Sequence, residues 1–320
     1  MAPQAAISTF RAAAAAASVL GVIAGLLAAQ GESTSRPGAV PPWKRIGEPS
    51  VVACGGCHIE VTREWSASLH AKAWTNQNVR VATKDFSMPG CRACHSPMPM
   101  LATGLEERPA FRDYNHEDGV HCLSCHGIDN GVAAARTIED APCRPRLEPK
   151  LLDVASCYPC HQPTHQAYDE YYTSKAFREG RKCADCHMPA RADGKGRSHG
   201  PHGGLNREFV RKAVEASFSA TADEVKVTVT NRTGHKFPGE IPSRSFVLRF
   251  EEGERREYIS LRRPNKGESI PDPRLTPDET RVLTFRRTAA TAPATVRLLF
   301  KPFPLTPDDE AMELAVWSTK

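Results

Sequence analysis

The chain has 320 residues, 40% of them hydrophobic and only 7% aromatic, with 42 basic against 37 acidic side chains for a formal net charge of +5. That hydrophobic fraction excludes a polytopic membrane protein and a wholly disordered chain alike, and so mild a charge calls for no nucleic-acid partner. Eleven cysteines are too few for a disulfide miniprotein of this length, yet with twelve histidines they exceed what packing requires.

In chain order, Met1 to Arg11 carries one basic residue and no acidic one, and Ala12 to Ala29 runs uncharged through Val19, Leu20, Val22, Ile23, Leu26 and Leu27. Residues 1–31 therefore read as a signal peptide with small residues at Ala28, Ala29 and Gly31 for cleavage, or as an N-terminal anchor, since the run just suffices to span a bilayer. Residues 32–50, with Pro41 and Pro42, form a linker. Either alternative puts the remainder in the periplasm or another extracytoplasmic space, membrane-attached only if the leader is retained.

Ten cysteines then fall into five pairs, each with two residues between and a histidine directly after: Cys54, Cys57 and His58; Cys91, Cys94 and His95; Cys122, Cys125 and His126; Cys157, Cys160 and His161; Cys183, Cys186 and His187. Two thiols one helical turn apart can each form a thioether with a haem vinyl group, and the next imidazole then lies under the iron as proximal ligand. Zinc ribbons use two pairs per metal, which five pairs cannot divide, and redox-active pairs of the thioredoxin kind come singly on a βαβ unit. The spacing predicts five covalent haem c groups, with Cys143 left over as a structural thiol.

Seven histidines remain for the opposite side of the iron: His70, His116, His121, His165, His199, His202 and His235. A haem closed on both faces transfers electrons, whereas an open sixth position binds or converts small molecules. His70 follows an apolar stripe of Val61, Trp65 and Leu69 on a helix expected over Ile59–Trp74, and His165 shares a helical face with His161. His199 and His202 flank a Gly-Pro pair, and His116 and His121 bracket Gly119-Val120, with one ligand expected from each couple. Met88, Met98 and Met100 are rival ligands in a proline-stiffened stretch, where packing on a porphyrin face is the commoner role.

Between Cys54 and His187 periodic runs are short and turn residues many, so residues 51–204 read as a loop-rich, mainly α five-haem domain in which porphyrin supplies much of the core. Tyr168, Tyr171, Tyr172 and Phe177 form an aromatic helix face. A connecting helix is expected over 205–218, with its apolar face from Asn206 to Phe218. Beyond it the period changes from 3.6 to 2: Val225, Val227 and Val229 alternate with polar residues, as do Phe246, Leu248 and Phe250, and short runs follow at Tyr258–Leu261, Val282–Phe285, Val296–Phe300 and Met312–Trp317. Residues 219–320 thus read as a haem-free antiparallel β-sandwich, and the whole chain as α+β. Its single histidine, His235, lies in a Gly-Pro-rich loop suited to reaching the last haem.

The first motif with Trp65-x-x-Ser68-x-His70, Gly119-Val120 before the third motif, Cys183-x-x-Cys186-His187-Met188-Pro189, Ser198-His199 with Gly203, and Gly234-His235-Lys236-Phe237-Pro238-Gly239 together resemble exported multihaem cytochromes of the cytochrome c-552/4 family, over about Val51 to Phe250. The resemblance implies His70, His199 and His235 as distal ligands, closely packed haem pairs and a haem-free β-domain. His121 directly before Cys122 departs from the family pattern, where a small residue is usual. An electron carrier between extracytoplasmic redox partners is the leading functional expectation. The alternative is an oxidoreductase acting on nitrite, hydroxylamine or a similar small nitrogen compound; related pentahaem nitrite reductases mark the catalytic haem with lysine in the motif, which none of the five has here. A third reading makes the β-domain a docking module for a redox partner or a second copy, with Arg244, Arg249, Arg262 and Arg263 on its surface.

Overall fold

A computed structural model of the chain describes residues 51–320, apart from residues 130, 138, 166, 242, 243, 266, 290, 304, 305 and 320 and the side chains of residues 162–165. The expected leader and linker, residues 1–50, lie outside the described residues, as does the side chain of His165. Among the described residues no helix is long and apolar enough to cross a membrane.

The five motifs lie on short helices or at their ends. Val51–Gly55 leads into the first, and Pro89–His95, Cys122–His126, Tyr158–His165 and Cys183–His187 carry the others. None exceeds eight residues, which is too short for a helix to persist in water without tertiary support. Local caps supply part of that support. Pro89 opens its helix with φ already fixed, and the Nδ1 of His121 accepts the Ser124 N–H at 3.2 Å. Asp185 accepts the Lys182 N–H at 2.8 Å. The helix expected over Ile59–Trp74 ends at Ser66, because the chain then turns on the Ser68 hydroxyl, which accepts the Ala71 N–H at 3.3 Å. A small sheet of Gly127–Ile128 (β1), Gly131–Ala134 (β2) and Arg146–Leu147 (β3) ties the third motif to the segment after it.

The connecting helix is shorter than its apolar pattern suggested. It spans Arg207–Ala213, and Val214–Ala220 is strand β4. Val214, Ala216 and Phe218 serve equally as every-other-residue positions, and seven backbone pairings with Glu224–Asn231 (β5) decide the conformation. Consequently the sheet domain starts at Val214 rather than at residue 219.

Five further strands follow: Ser245–Glu252 (β6), Arg255–Arg262 (β7), Thr280–Arg286 (β8), Ala294–Lys301 (β9) and Met312–Ser318 (β10). They form two antiparallel sheets, ordered β4-β5-β8 and β10-β9-β6-β7. The inward residues are those that alternate in the sequence. Val225, Val227 and Val229 from one sheet meet Phe246, Leu248, Phe250, Val296 and Phe300 from the other, all essentially inaccessible to solvent. Each such side chain contributes about 1.5–3 kcal/mol by leaving water. This core is self-sufficient, whereas the cysteine-rich half has no comparable cluster of buried apolar side chains among its described residues.

Candidate haem-binding site

An imidazole that binds iron through Nε2 needs its Nδ1–H held elsewhere, or the ring rotates. The backbone supplies that hold repeatedly. Nδ1 of His95 lies 2.8 Å from the Ala73 carbonyl, that of His126 2.8 Å from Ala133, and that of His187 2.8 Å from His202. Nδ1 of His199 is 3.0 Å from the Arg197 carbonyl, and that of His235 3.1 Å from Lys236. In all five rings Nε2 is therefore the nitrogen left for a metal.

Three motif histidines each face one histidine from outside the motifs. The centroids of His161 and His70 are 6.3 Å apart, those of His126 and His199 6.2 Å, and those of His187 and His235 6.2 Å. Two metal–nitrogen bonds of about 2 Å plus two ring half-widths of about 1.1 Å give roughly 6.2 Å for two imidazoles sharing one metal. Burial lowers the proton affinity of His70, and it drives His187 down to about 4, with His235 adding to the effect. Neutral rings are the form that ligates iron. Two opposed imidazoles beside a pair of thiols are a donor set that fits a macrocycle gripped between the rings.

The remaining candidates behave differently from one another. The Nε2 of His202 is 2.9 Å from the Ser198 hydroxyl, and its carbonyl steadies His187; His202 thus orients a ligand while His199 presents one. The ring of His116 lies 4.5 Å from Trp74 and 5.2 Å from Phe111, and that of His121 caps the third motif. Both His116 and His121 hold a buried Nε2 with no protein partner, and burial with the nearby Arg112 charge takes His121 down to about 4. Neither forms a ring contact with His58 or His95, and His58 lies near enough to His126 to bear on its charge. Met100 is buried and Met88 exposed.

The thiols knit the motifs together and form no disulfide. The thiols of Cys54 and Cys122, of Cys94 and Cys160, and of Cys157 and Cys183 lie close enough to perturb each other, the first of each couple lowered and the second raised. Motif one thus adjoins motif three, two adjoins four, and four adjoins five. Cys143 is half-buried and near enough to Cys54 and Cys57 to feel their charge, with burial raising its thiol.

Several residues that hold this arrangement carried no motif in the sequence. Glu64 accepts the His199 N–H at 2.9 Å and Arg191 at 2.8 Å; its one sequence signal is its place three residues after Val61 on the inward helix face. Arg112, fully buried, donates to the carbonyls of Tyr114, Asn115 and Gly119 and so shapes the loop bearing His116. Asn231 donates to the His235, Leu275 and Thr276 carbonyls, fixing the β-domain loop that ends in the cis Phe237-Pro238 bond. The same loop docks on the aromatic helix Ala167–Thr173: Gly234 packs on Tyr171, and Glu170 accepts the Lys236 N–H at 2.7 Å beside the buried Arg274 and Glu240.

Burial, reinforced by Glu240, raises the Glu170 carboxyl to about 7 although Lys236 and Arg274 oppose it. A carboxyl raised on folding contributes stability that is complete below its ordinary value of 4.5 and is lost as pH rises through about 7. Between pH 5 and 8 the wild type should therefore lose more thermal stability than Glu170→Gln, by a few kcal/mol at most. Equal pH slopes in parallel melts would show that Glu170 does not titrate in this window.

With this geometry in hand, the chain is similar to known proteins in two ways. Residues 53–127 match the family described as cytochrome c554 and c-prime. The structure also resembles the crystal structure of a penta-heme cytochrome c552 from Thermochromatium tepidum, with a TM-score of 0.58 and 16% identity over 83% of this chain and 97% of that one. No curated protein matches. Family match, shared fold and paired-cysteine motifs together support a multihaem c-type cytochrome.

Proposed function

We propose that this protein is an extracytoplasmic electron carrier that holds five covalent haem c groups and exchanges electrons with redox partner proteins. Each group would supply reversible one-electron iron chemistry. The observation that carries the reading is the set of three opposed imidazole pairs, each joining one motif histidine to one histidine from elsewhere. Cys157 and Cys160 would hold the group between His161 and His70, Cys122 and Cys125 that between His126 and His199, and Cys183 and Cys186 that between His187 and His235. His58 and His95 would hold the groups of the first two motifs, with His116, His121 and His165 as the candidates for the other side. Carbonyl-bound Nδ1 atoms keep the rings from turning, which lowers the reorganisation that accompanies electron exchange. The thiol contacts between motifs favour exchange in an order set by adjacency in space: one beside three, two beside four, four beside five.

A second reading, small-nitrogen oxidoreduction at an open iron, is kept alive by one observation: neither His116 nor His121 forms a ring contact with His58 or His95. The two readings separate by measurement. A pyridine haemochrome assay on the purified holoprotein is expected to give five haems per chain, with spectra indifferent to nitrite and hydroxylamine. Fewer than five would sink both readings, and one high-spin haem that binds these ligands would favour the second.

A further inference from the structure

We propose that Glu64 is a positioning residue that sets His199 opposite His126 and tunes the iron between them. This rests on the reading of His126 and His199 as the two axial ligands of one haem. Glu64 lies on the helix Ile59–Ser66, directly after the first motif, and its two oxygens do different jobs. Oε2 accepts the backbone N–H of His199 at 2.9 Å, and Oε1 accepts Arg191 at 2.8 Å in a half-buried ion pair, with side chains 19% and 29% exposed for Arg191 and Glu64. The loop is tight around this anchor. Ser198 N–H bonds the Pro189 carbonyl, His199 Nδ1 bonds the Arg197 carbonyl, and a Cβ on Gly200 would reach the Glu64 side chain at 4.0 Å.

The glycine-rich stretch from Gly200 to Gly204 has little stiffness of its own, so the hydrogen bond to the His199 backbone fixes where the ring stands. Anionic charge beside an axial imidazole stabilises the ferric over the ferrous state, so Glu64 lowers the potential of this one centre. The helix of the first motif thereby controls the ligation of the third.

The test uses the full-length holoprotein, with His199→Ala as the reference for an opened site. His199→Ala is expected to bind one more equivalent of carbon monoxide per reduced chain than the wild type; if it does not, the ligand reading itself fails. Given that extra equivalent, Glu64→Ala is expected to show part of it, with matching loss of low-spin signal from one haem in five. Glu64→Gln keeps an acceptor for the His199 N–H and is expected to stay fully low-spin while one of five midpoint potentials moves upward. Wild-type carbon monoxide binding in Glu64→Ala together with unchanged potentials in Glu64→Gln overturns the proposal. If Glu64→Ala fails to mature, the potential of Glu64→Gln alone decides it.

Discussion

Replacement of His235 by alanine is expected to convert one haem in five from low-spin to high-spin and to open it to carbon monoxide, with the other four unchanged. His235 is the ring that the β-domain places 6.2 Å from His187. It stands on a loop secured by Asn231, by Thr233 and by Glu170, so the rest of the loop should survive loss of the ring. The same result is expected at a different iron for His70→Ala, because His70 faces His161 and not His187. His202→Ala is the contrasting case. Its Nε2 is engaged by Ser198 and its hold on His187 is through the backbone carbonyl, so no additional site should open. Magnetic circular dichroism or electron paramagnetic resonance of the four proteins checks the series; a fully low-spin His235→Ala protein would remove His235 from the ligand set.

Gly119→Ala is expected to cost about 3 kcal/mol or more and to disturb the His70 side of the structure first. Gly119 has φ 56° and ψ −130°, the mirror image of the extended region, which side-chain-bearing residues avoid. A Cβ there would lie 2.5 Å from the His70 carbonyl oxygen and 2.9 Å from that of Ala71, both backbone atoms with no freedom to swing aside. The next residue is part of the same joint: Val120 N–H donates to the His70 carbonyl at 2.9 Å, and Trp65 Nε1–H donates to the Val120 carbonyl at 2.8 Å. The glycine therefore allows two chain segments to touch backbone to backbone, and its loss pushes His70 away from His161. Thermal melts and the low-spin signal report the two consequences together. A variant with wild-type stability and spectra would mean that the segment shifts at no cost.

The strands and the motif-bearing turns were legible in the sequence for the same reason: their chemistry is local. Val225, Val227 and Val229 point inward because alternate residues of a strand must, and Cys-x-x-Cys-His closes on one turn because two intervening residues allow it. Val214–Ala220 was the ambiguous case, with an apolar spacing that serves a helix or a strand, and pairing with β5 settled it. Glu64, Glu170 and Arg112 were invisible as functional residues for a related reason. Glu64 and Glu170 are single charged side chains whose partners lie far along the chain, as Glu64 and His199 do, and no spacing rule links such positions, while Arg112 bonds carbonyls two to seven residues on in a loop without periodicity.

The sequence by itself carried the expectation of covalent haem c: ten cysteines and five histidines in fixed local order form five turns suited to attachment and proximal ligation, because one helical turn contains all the geometry required. It also supplied the list of distal candidates. The tertiary structure decided that His70 faces His161 and His199 faces His126, both out of sequence order, and it set His235 against His187 in the last motif, where its loop pointed. Those pairings depend on backbone hydrogen bonds and buried carboxylates that bring distant loops together. Such contacts leave no periodic trace in the sequence, because the chain between their ends has no fixed length or pattern to keep.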